Sequence, residues 1–338
     1  MNLSYSFIVP VYNRPEEVKE LLASMMVQNF QFPFEVVIIE DGSTESSEDV
    51  VRKFQKEASP PITISYLTKH NTGPGDSRNY GMTRAKGNYF IVLDSDCILP
   101  KTYLNAVDDA LRARFVHCFG GPDAAHQSFS LVQKAINYAM TSVLTTGGIR
   151  GSKRALNKFQ PRSFNMGISK EAFEATGGFG LIHPGEDPDL TFRIWKNGYD
   201  TCLIPEAFVY HKRRIDWSKF YKQVFKFGKV RPILNKWHPR TAKITYWFPT
   251  FFILGFGISI LLGIIGIVLP IYFYGCYLVV VFLDALLRTK NLAIAILVLV
   301  AISIQFYGYG TGFLKSTILI NFSKSKPEQL FPELFFKP

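Results

Sequence analysis

The sequence predicts an α/β fold built on a mostly parallel mixed sheet, followed by a membrane-embedded region. Three observations carry that reading. Strand-like and helix-like segments alternate from Ser6 to Asp96, carboxylates recur where the strand-like runs stop, and nearly every residue from Trp247 to Leu287 is apolar. Alternation of this kind makes a parallel sheet. An apolar run of that length calls for a bilayer.

The first strand is Ser6 to Val11, closed by Pro10-Val11-Tyr12. Asn13, with Pro15 in the first turn and Glu16 three residues on, reads as a capping-box helix start, and Val18, Leu21, Leu22, Met25 and Met26 follow at helical spacing. A second strand, Phe34 to Ile39, ends in Glu40-Asp41-Gly42-Ser43, and Val50, Val51 and Phe54 mark the helix after it. Ile62 to Leu67 is the third strand. After the Thr72-Gly73-Pro74-Gly75 turn, Asp76 is expected to cap a helix that carries Arg78, Asn79 and Arg84 and stops at Gly87. The fourth strand, Tyr89 to Leu93, delivers Asp94 and Asp96 at its carboxyl end, the edge where an open α/β sheet holds ligands. Two acids two residues apart on extended chain point the same way, so ionising both needs a cation or hydrogen bonds between them.

Further on, Val116 to Gly120 and Ser163 to Ile168 read as strands, joined by a basic, glycine-containing connection from Gly147 to Gln160 that has the character of a functional loop. Short helices follow at Lys170 to Thr176 and Asp187 to Asn197, each stopped by glycine, and Thr201 to Tyr210 gives two short strands broken at Pro205. Trp217, Phe220, Tyr221, Val224 and Phe225 form an apolar stripe among lysines; such a helix either lies in a membrane interface or packs on the domain.

Pro270 divides the long apolar run into two spans of roughly 20 residues each. Asn291 to Leu314 is long enough for a third, although Gln305, Gly308, Gly310 and Gly312 weaken its second half, and a full crossing would place Lys315, Lys324, Lys326 and Lys337 outside, against the positive-inside preference. Two and three spans both stay open. The expected organisation is a catalytic-type domain over 1–215, a basic amphipathic segment over 216–245 and the membrane region with its tail over 246–338.

The chain has 338 residues, 47% of them hydrophobic, and a formal charge of +11. The basic residues gather from Arg150 to Arg162 and from Lys212 to Lys243, beside the apolar run, which favours membrane lipids or phosphate-bearing ligands over nucleic acid. Four cysteines without CxxC spacing fit a reducing compartment, and a chain that opens directly on a strand is expected to keep its first domain in the cytosol, at the cell membrane.

The strand-end and loop features, Pro10 to Asn13, Glu40-Asp41, Gly75 to Asn79, Asp94-Ser95-Asp96 and Gly185-Glu186-Asp187-Pro188-Asp189, together resemble the inverting family 2 glycosyltransferases of the GT-A fold, in the right order over residues 5 to about 231. The resemblance implies a nucleotide-sugar donor bound by Pro10, Tyr12, Asn13, Asp41, Arg78, Asn79, Asp94, Ser95 and Asp96. It implies a divalent metal, Mg²⁺ or Mn²⁺, held by Asp96, Asp94 and, as in some relatives, His211. Glu186-Asp187 matches the acidic pair before the acceptor helix, with Asp187 as general base. Asp41 at the base would accept from a uracil ring N–H, pointing to a UDP-sugar. Each match also has a plainer reading: a turn at Asp41-Gly42, a surface arginine at 78, a helix cap at Asp187 and Asp189, a structural histidine at 211. Processive synthases of the family carry Gln-x-x-Arg-Trp where this chain has Lys226-Phe-Gly-Lys-Val-Arg231, so a single transfer is expected. The acceptor is expected to be a lipid-linked glycan; a polyprenyl-phosphate sugar synthase and a non-catalytic nucleotide-binding scaffold are the alternatives.

Overall fold

A computed structural model describes residues 2–124, 129–146, 159–211 and 216–336. The strands are β1 (Tyr5–Val11), β2 (Phe34–Asp41), β3 (Ile62–Lys69), β4 (Tyr89–Leu93), β5 (Cys97–Ile98), β6 (Cys118–Gly120), β7 (Asp123–Ala124), β8 (Asn165–Ser169), β9 (Thr201–Leu203) and β10 (Val209–His211). The helices of the first part are α1 (Pro15–Met26), α2 (Glu48–Glu57), α3 (Pro74–Arg84), α4 (Tyr103–Ala113), α5 (Leu131–Thr141), α6 (Val143–Thr146), α7 (Lys170–Thr176) and α8 (Glu186–Lys196). Four longer ones follow: α9 (Trp217–Trp237), α10 (Phe248–Ile264), α11 (Leu269–Thr289) and α12 (Leu292–Phe322).

Two compact units emerge. The first comprises Met1–His126, Lys153–Lys212 and Phe335–Pro338, the second Gln127–Ser152 and Arg213–Leu334.

The first unit holds a seven-stranded sheet in the order β3-β2-β1-β4-β8-β6-β9 and a three-stranded sheet β5-β10-β7. β1 runs parallel to β2 and β4, and β2 to β3, while β8 is antiparallel to both β4 and β6. The central runs are continuously apolar because both faces are covered. Tyr5, Phe7, Val9, Val36, Ile38, Tyr89 and Ile91 pack with Val18 and Leu21 of α1 and Val107 of α4 on one side. Ile8, Val37, Ile39, Phe90 and Val92 pack with Met82 of α3, Ala172 of α7 and Leu190 of α8 on the other. Each such large side chain contributes about 1.5–3 kcal/mol on burial. From β1 the chain steps outward to β2 and β3, then crosses back to β4 on the far side of β1. The reversal opens a crevice beyond the carboxyl ends of β1 and β4, where Asn13 and Asp94 sit.

Three local expectations are corrected. Asn13 does not start α1 as a cap: its φ is +53°, the residue before α1 is Arg14, and no side chain caps that helix. The Asn13 amide oxygen instead accepts from the Thr44 and Glu45 backbone N–H groups at 2.8 and 3.0 Å, a loop 31 and 32 residues downstream. Asp76 lies inside the first turn of α3, whose cap position is Gly73, and pairs with Lys69 at 3.0 Å. β8 starts at Asn165 rather than Ser163, and α4, α5 and α6 had no counterpart in the sequence reading. The Gly147 to Gln160 connection falls, for 147–158, outside the described residues.

Among the described residues of the second unit, three helices are long and apolar enough to cross a membrane: Ile244–Ile264, Leu269–Thr289 and Leu292–Phe322. Pro270 occupies the first turn of α11, as a span boundary requires. The glycines that lowered expectations for the third span lie within an unbroken α12 and serve close packing. A Cβ on Gly312 would overlap the Phe225 carbonyl of α9, and one on Gly308 would meet Val224. The amphipathic stripe of α9 is accordingly packed in protein: Phe220 and Val224 are buried with Val298, Ile302 and Phe306 of α12.

Candidate active site

β4 ends at Leu93, and the next three residues place two carboxylates that would repel if left alone. Each has an arginine. Asp94 accepts from Arg78 Nη2 at 3.0 Å, and Asp96 Oδ2 accepts from Arg14 Nη1 at 2.6 Å. Arg14 lies three residues beyond the end of β1, so an ion pair links the segments leaving β1 and β4. Ser95, between the acids, is buried.

The Arg78-Asn79-x-Gly81 segment of α3 divides its work. Arg78 is buried, with only 4% of its side chain exposed, and reaches two acids: its second nitrogen, Nη1, donates to Glu186 Oε1 at 3.3 Å. Its centre lies 5.2 Å over the Phe179 ring. Asn79 clamps the Phe179 peptide, donating to its carbonyl and accepting from its N–H, both at 2.8 Å. At Gly81 a Cβ would stand 2.6 Å from Ile39 Cδ1, so the glycine lets the helix lie close on the sheet.

Gly185, at φ +120°, turns the chain into α8, which opens with Glu186 and Asp187. Burial opposes ionisation of Glu186, but the His183 hydrogen bond at 2.9 Å, the His183 charge and Arg78 outweigh it and hold the carboxyl below the usual range. Asp187 moves the other way. Burial first, then the charge of Glu186, push it up against the pull of Arg78, Arg162 and a Ser163 hydrogen bond. Asp187 Oδ1 is out of solvent and, among the described residues, has no hydrogen-bond partner. Two neighbouring carboxyls driven apart in this way divide into a resident anion and a proton acceptor.

The acids after β2 are taken up by loops. Glu40 accepts from Ser43 Oγ, from the Ser47 N–H at 2.8 Å and from Tyr66 Oη at 3.0 Å. Asp41 accepts from Lys69 Nζ at 2.8 Å and from the N–H groups of Thr72 and Gly73 at 3.0 Å. Asp41 therefore first holds the 69–73 loop; one acceptor direction on Oδ2 is left over. Pro10 is half-buried in β1, where it pairs with Ile39, and Tyr12 stands 51% exposed beside Asn13 at the crevice.

Strand β10 brings the His211 backbone opposite Cys97, next to Asp96; its side chain, and Lys212 to Arg214, lie outside what the structure describes. Among the described residues no group of three His, Cys, Asp or Glu gathers as a metal site. Asp94 and Asp96 still offer the hard oxygen donors that suit Mg²⁺ or Mn²⁺, ions that commonly take one or two carboxylates and complete the shell with phosphate and water. The residues present fit such a cation.

Sequence reasoning missed Arg14, His183 and Lys69, the partners of Asp96, Glu186 and Asp41. Arg14 and His183 each lie within three residues of a feature already singled out, and that proximity was the available signal.

The profile of the family described as glycosyl transferase family 2 matches residues 6–177. Poly(ribitol-phosphate) beta-N-acetylglucosaminyltransferase TarS of Staphylococcus aureus is 34% identical over 103 residues, which is 30% of this chain and 18% of that protein. The chain thus aligns with under a fifth of TarS. Succinoglycan biosynthesis protein ExoA of Rhizobium meliloti is 25% identical over 231 residues, 66% of this chain and 68% of ExoA. Among solved structures, mannosyltransferase PcManGT from Pyrobaculum calidifontis, in complex with GDP-Man and Mn²⁺, superimposes with a TM-score of 0.58 at 17% identity, covering 96% of this chain and 89% of that one. That likeness is one of fold. With the family profile spanning half of its residues, the chain belongs to glycosyl transferase family 2.

Proposed function

We propose that this protein transfers a single sugar, with inversion, from a nucleotide-sugar to an acceptor at the membrane, in the synthesis of an envelope or surface polysaccharide. The observation that carries the reading is Asp187: a carboxyl pushed up by burial, with one oxygen that has no partner among the described residues, on the helix that Arg78 ties to the Asp94 strand end. In a one-step displacement the acceptor oxygen bonds to the anomeric carbon as the bond to the leaving diphosphate breaks. The electron pair leaves with the diphosphate, and the acceptor proton passes to Asp187. Backside attack inverts the centre.

Asp94, Asp96 and Ser95 at the strand end, with Pro10, Tyr12 and Asn13 across the crevice, line the donor side of this scheme. A divalent cation bound to Asp94 and Asp96, with His211 as a third candidate, would neutralise charge on the leaving diphosphate. Arg14 and Arg78 supply fixed positive charge there in any case. The names of TarS, an N-acetylglucosaminyltransferase, and of ExoA, a succinoglycan biosynthesis protein, support a sugar donor and a polysaccharide setting. The uracil contact rests on the remaining acceptor direction of Asp41. Three apolar helices tether the chain to a bilayer and favour a lipid-linked acceptor, with the first unit on the cytosolic side.

The test is thermal stabilisation and donor turnover of the full chain in detergent, with UDP-, GDP- and dTDP-sugars and with or without Mn²⁺. Stabilisation and nucleotide release with UDP-sugars support the reading. A response to GDP-sugars alone would sink the uridine assignment, and no response to any donor would favour a binding scaffold.

A further inference from the structure

The acidic pair is reached by a piece of chain that lies more than a hundred residues further on, beyond the last apolar helix. Phe335 forms an isolated antiparallel bridge with Ile182, and the Phe336 N–H donates to the Leu181 carbonyl at 3.1 Å. The Phe336 ring then lies against two parts of the site at once. Its centroid is 5.7 Å from that of His183, the residue hydrogen-bonded to Glu186. It also covers Gly73, where a Cβ would overlap the ring, at the start of the helix that carries Arg78.

The segment under this contact is held by one buried side chain, Ile182, and by the His183–Glu186 hydrogen bond. Gly177 and Gly178 both have φ of +72°, Phe179 is pinned by Asn79, and Gly185 turns into α8; between them Leu181 and His183 are 45% and 41% exposed while Ile182 points into the core. Two contacts orient the exposed His183 ring: its hydrogen bond to Glu186 and the Phe336 ring, which lies against it at an interplanar angle of 54°.

We propose that Phe336 is a positioning residue of the transferase site. Its ring holds His183 on Glu186 and seats the Gly73 turn, while the Phe335–Ile182 bridge fixes the 181–184 loop. The proposal rests on Glu186-Asp187 being the acceptor-side acids. It makes the segment part of the working site rather than a plug that must leave.

The experiment compares Phe336→Ala and Phe336→Leu in the full-length protein, with wild-type thermal unfolding as the folding control. Loss of ring packing should lower kcat by about ten- to a hundredfold through misplacement of the acids, a larger change than any rise in donor KM through the Gly73 turn. Phe336→Leu, which refills the volume, should recover most of the rate. An unchanged kcat in Phe336→Ala, or a raised one, overturns the proposal. A second variant covers the case in which Phe336→Ala does not fold. Ile182 and Phe335 form the non-hydrogen-bonded kind of antiparallel pair, with Cα atoms about 4.5 Å apart, within disulfide reach. Ile182→Cys/Phe335→Cys, oxidised to lock the segment in place, should keep its kcat. Inactivation on oxidation with recovery in dithiothreitol would show that the segment must leave, and the proposal fails. Asp187→Asn, measured alongside, separates the two ideas: if it still turns over, Asp187 is not the base, whereas the Phe336 comparison reads kcat whichever group takes the proton.

Discussion

Arg78 and Glu186 lie 108 residues apart in the chain and 3.3 Å apart in the fold, with 4% and 6% of their side chains exposed. The same guanidinium holds Asp94. One buried cation thus joins the Asp94 strand end to the start of α8, and among the described residues its Nε has no hydrogen-bond partner.

Arg78→Ala should therefore act on stability before it acts on chemistry. Removing one member of a buried pair costs roughly 3–5 kcal/mol, which for a unit of this size lowers the unfolding temperature by roughly 6–20 °C. Arg78→Lys keeps the charge but not the fork that spans two carboxylates, so it should fall between the two. Thermal denaturation followed by circular dichroism is the measurement. An Arg78→Ala protein that unfolds with wild type would show that the bridge is not formed in solution.

Asp187→Asn should remove activity and add stability. In the proposed role of proton acceptor it would contribute about 10²–10⁴ to the rate, and turnover should fall by that factor while donor-induced stabilisation persists. The sign on stability follows from the direction of its shift. A carboxyl whose folded pKa is raised stabilises the fold while protonated and loses that contribution as pH rises through the folded value. Above its folded pKa the ionised, buried Asp187 is a cost, so there the asparagine variant should melt higher than wild type, and the gain should vanish toward acid pH. Glu186→Gln removes the neighbouring charge that helps raise Asp187. Its residual activity should survive to lower pH than that of wild type. An acid limb that does not move in Glu186→Gln would separate the two carboxyls.

The parts of this site that were legible in the sequence are those written in short range. Tyr89 to Leu93 is an apolar run covered on both faces, so the strand and the acids at its end could be read directly. The Arg-Asn-x-Gly string could be seen but not parsed, because its three jobs are set by Asp94, Phe179 and Ile39, which α3 meets only in the fold. Asn13 shows a local rule losing to a distant one. Its spacing to Glu16 matches a capping box, yet the loop after β2 offers its amide oxygen two backbone donors, and those took it. The stripe on α9 announced a buried face without saying what would cover it, and the glycines that looked like weakness in α12 were the other half of that answer.

Arg14 competes with any cation for Asp96. The pair is short, but Arg14 is 46% exposed, so solvent screening limits its worth to about 0–1 kcal/mol. Arg14→Gln should tighten binding of Mn²⁺ alone by up to about fivefold, measured by calorimetry without nucleotide. Asp96→Asn should weaken it in the same assay. If Asp96→Asn binds Mn²⁺ as wild type does, the cation is held elsewhere.

The α9–α12 contact supplies a prediction independent of the chemistry. A methyl on Gly312 would overlap the Phe225 carbonyl and come within 3.2 Å of the Lys229 nitrogen, backbone atoms that cannot rotate away. Ser316 of α12 also donates to the Lys229 carbonyl at 2.7 Å, which fixes the register of the two helices. Gly312→Ala should therefore cost about 1–3 kcal/mol, as overpacking does. Gly257 and Gly275, in α10 and α11, have nothing within 4 Å of a Cβ. At those positions alanine removes the backbone freedom of glycine without a clash and should be neutral or stabilising by up to about 1 kcal/mol. Thermal unfolding of the three variants in one detergent compares them directly. Equal tolerance at all three positions would mean that α9 and α12 do not approach through Gly312, and the packing assigned to the second unit would be wrong.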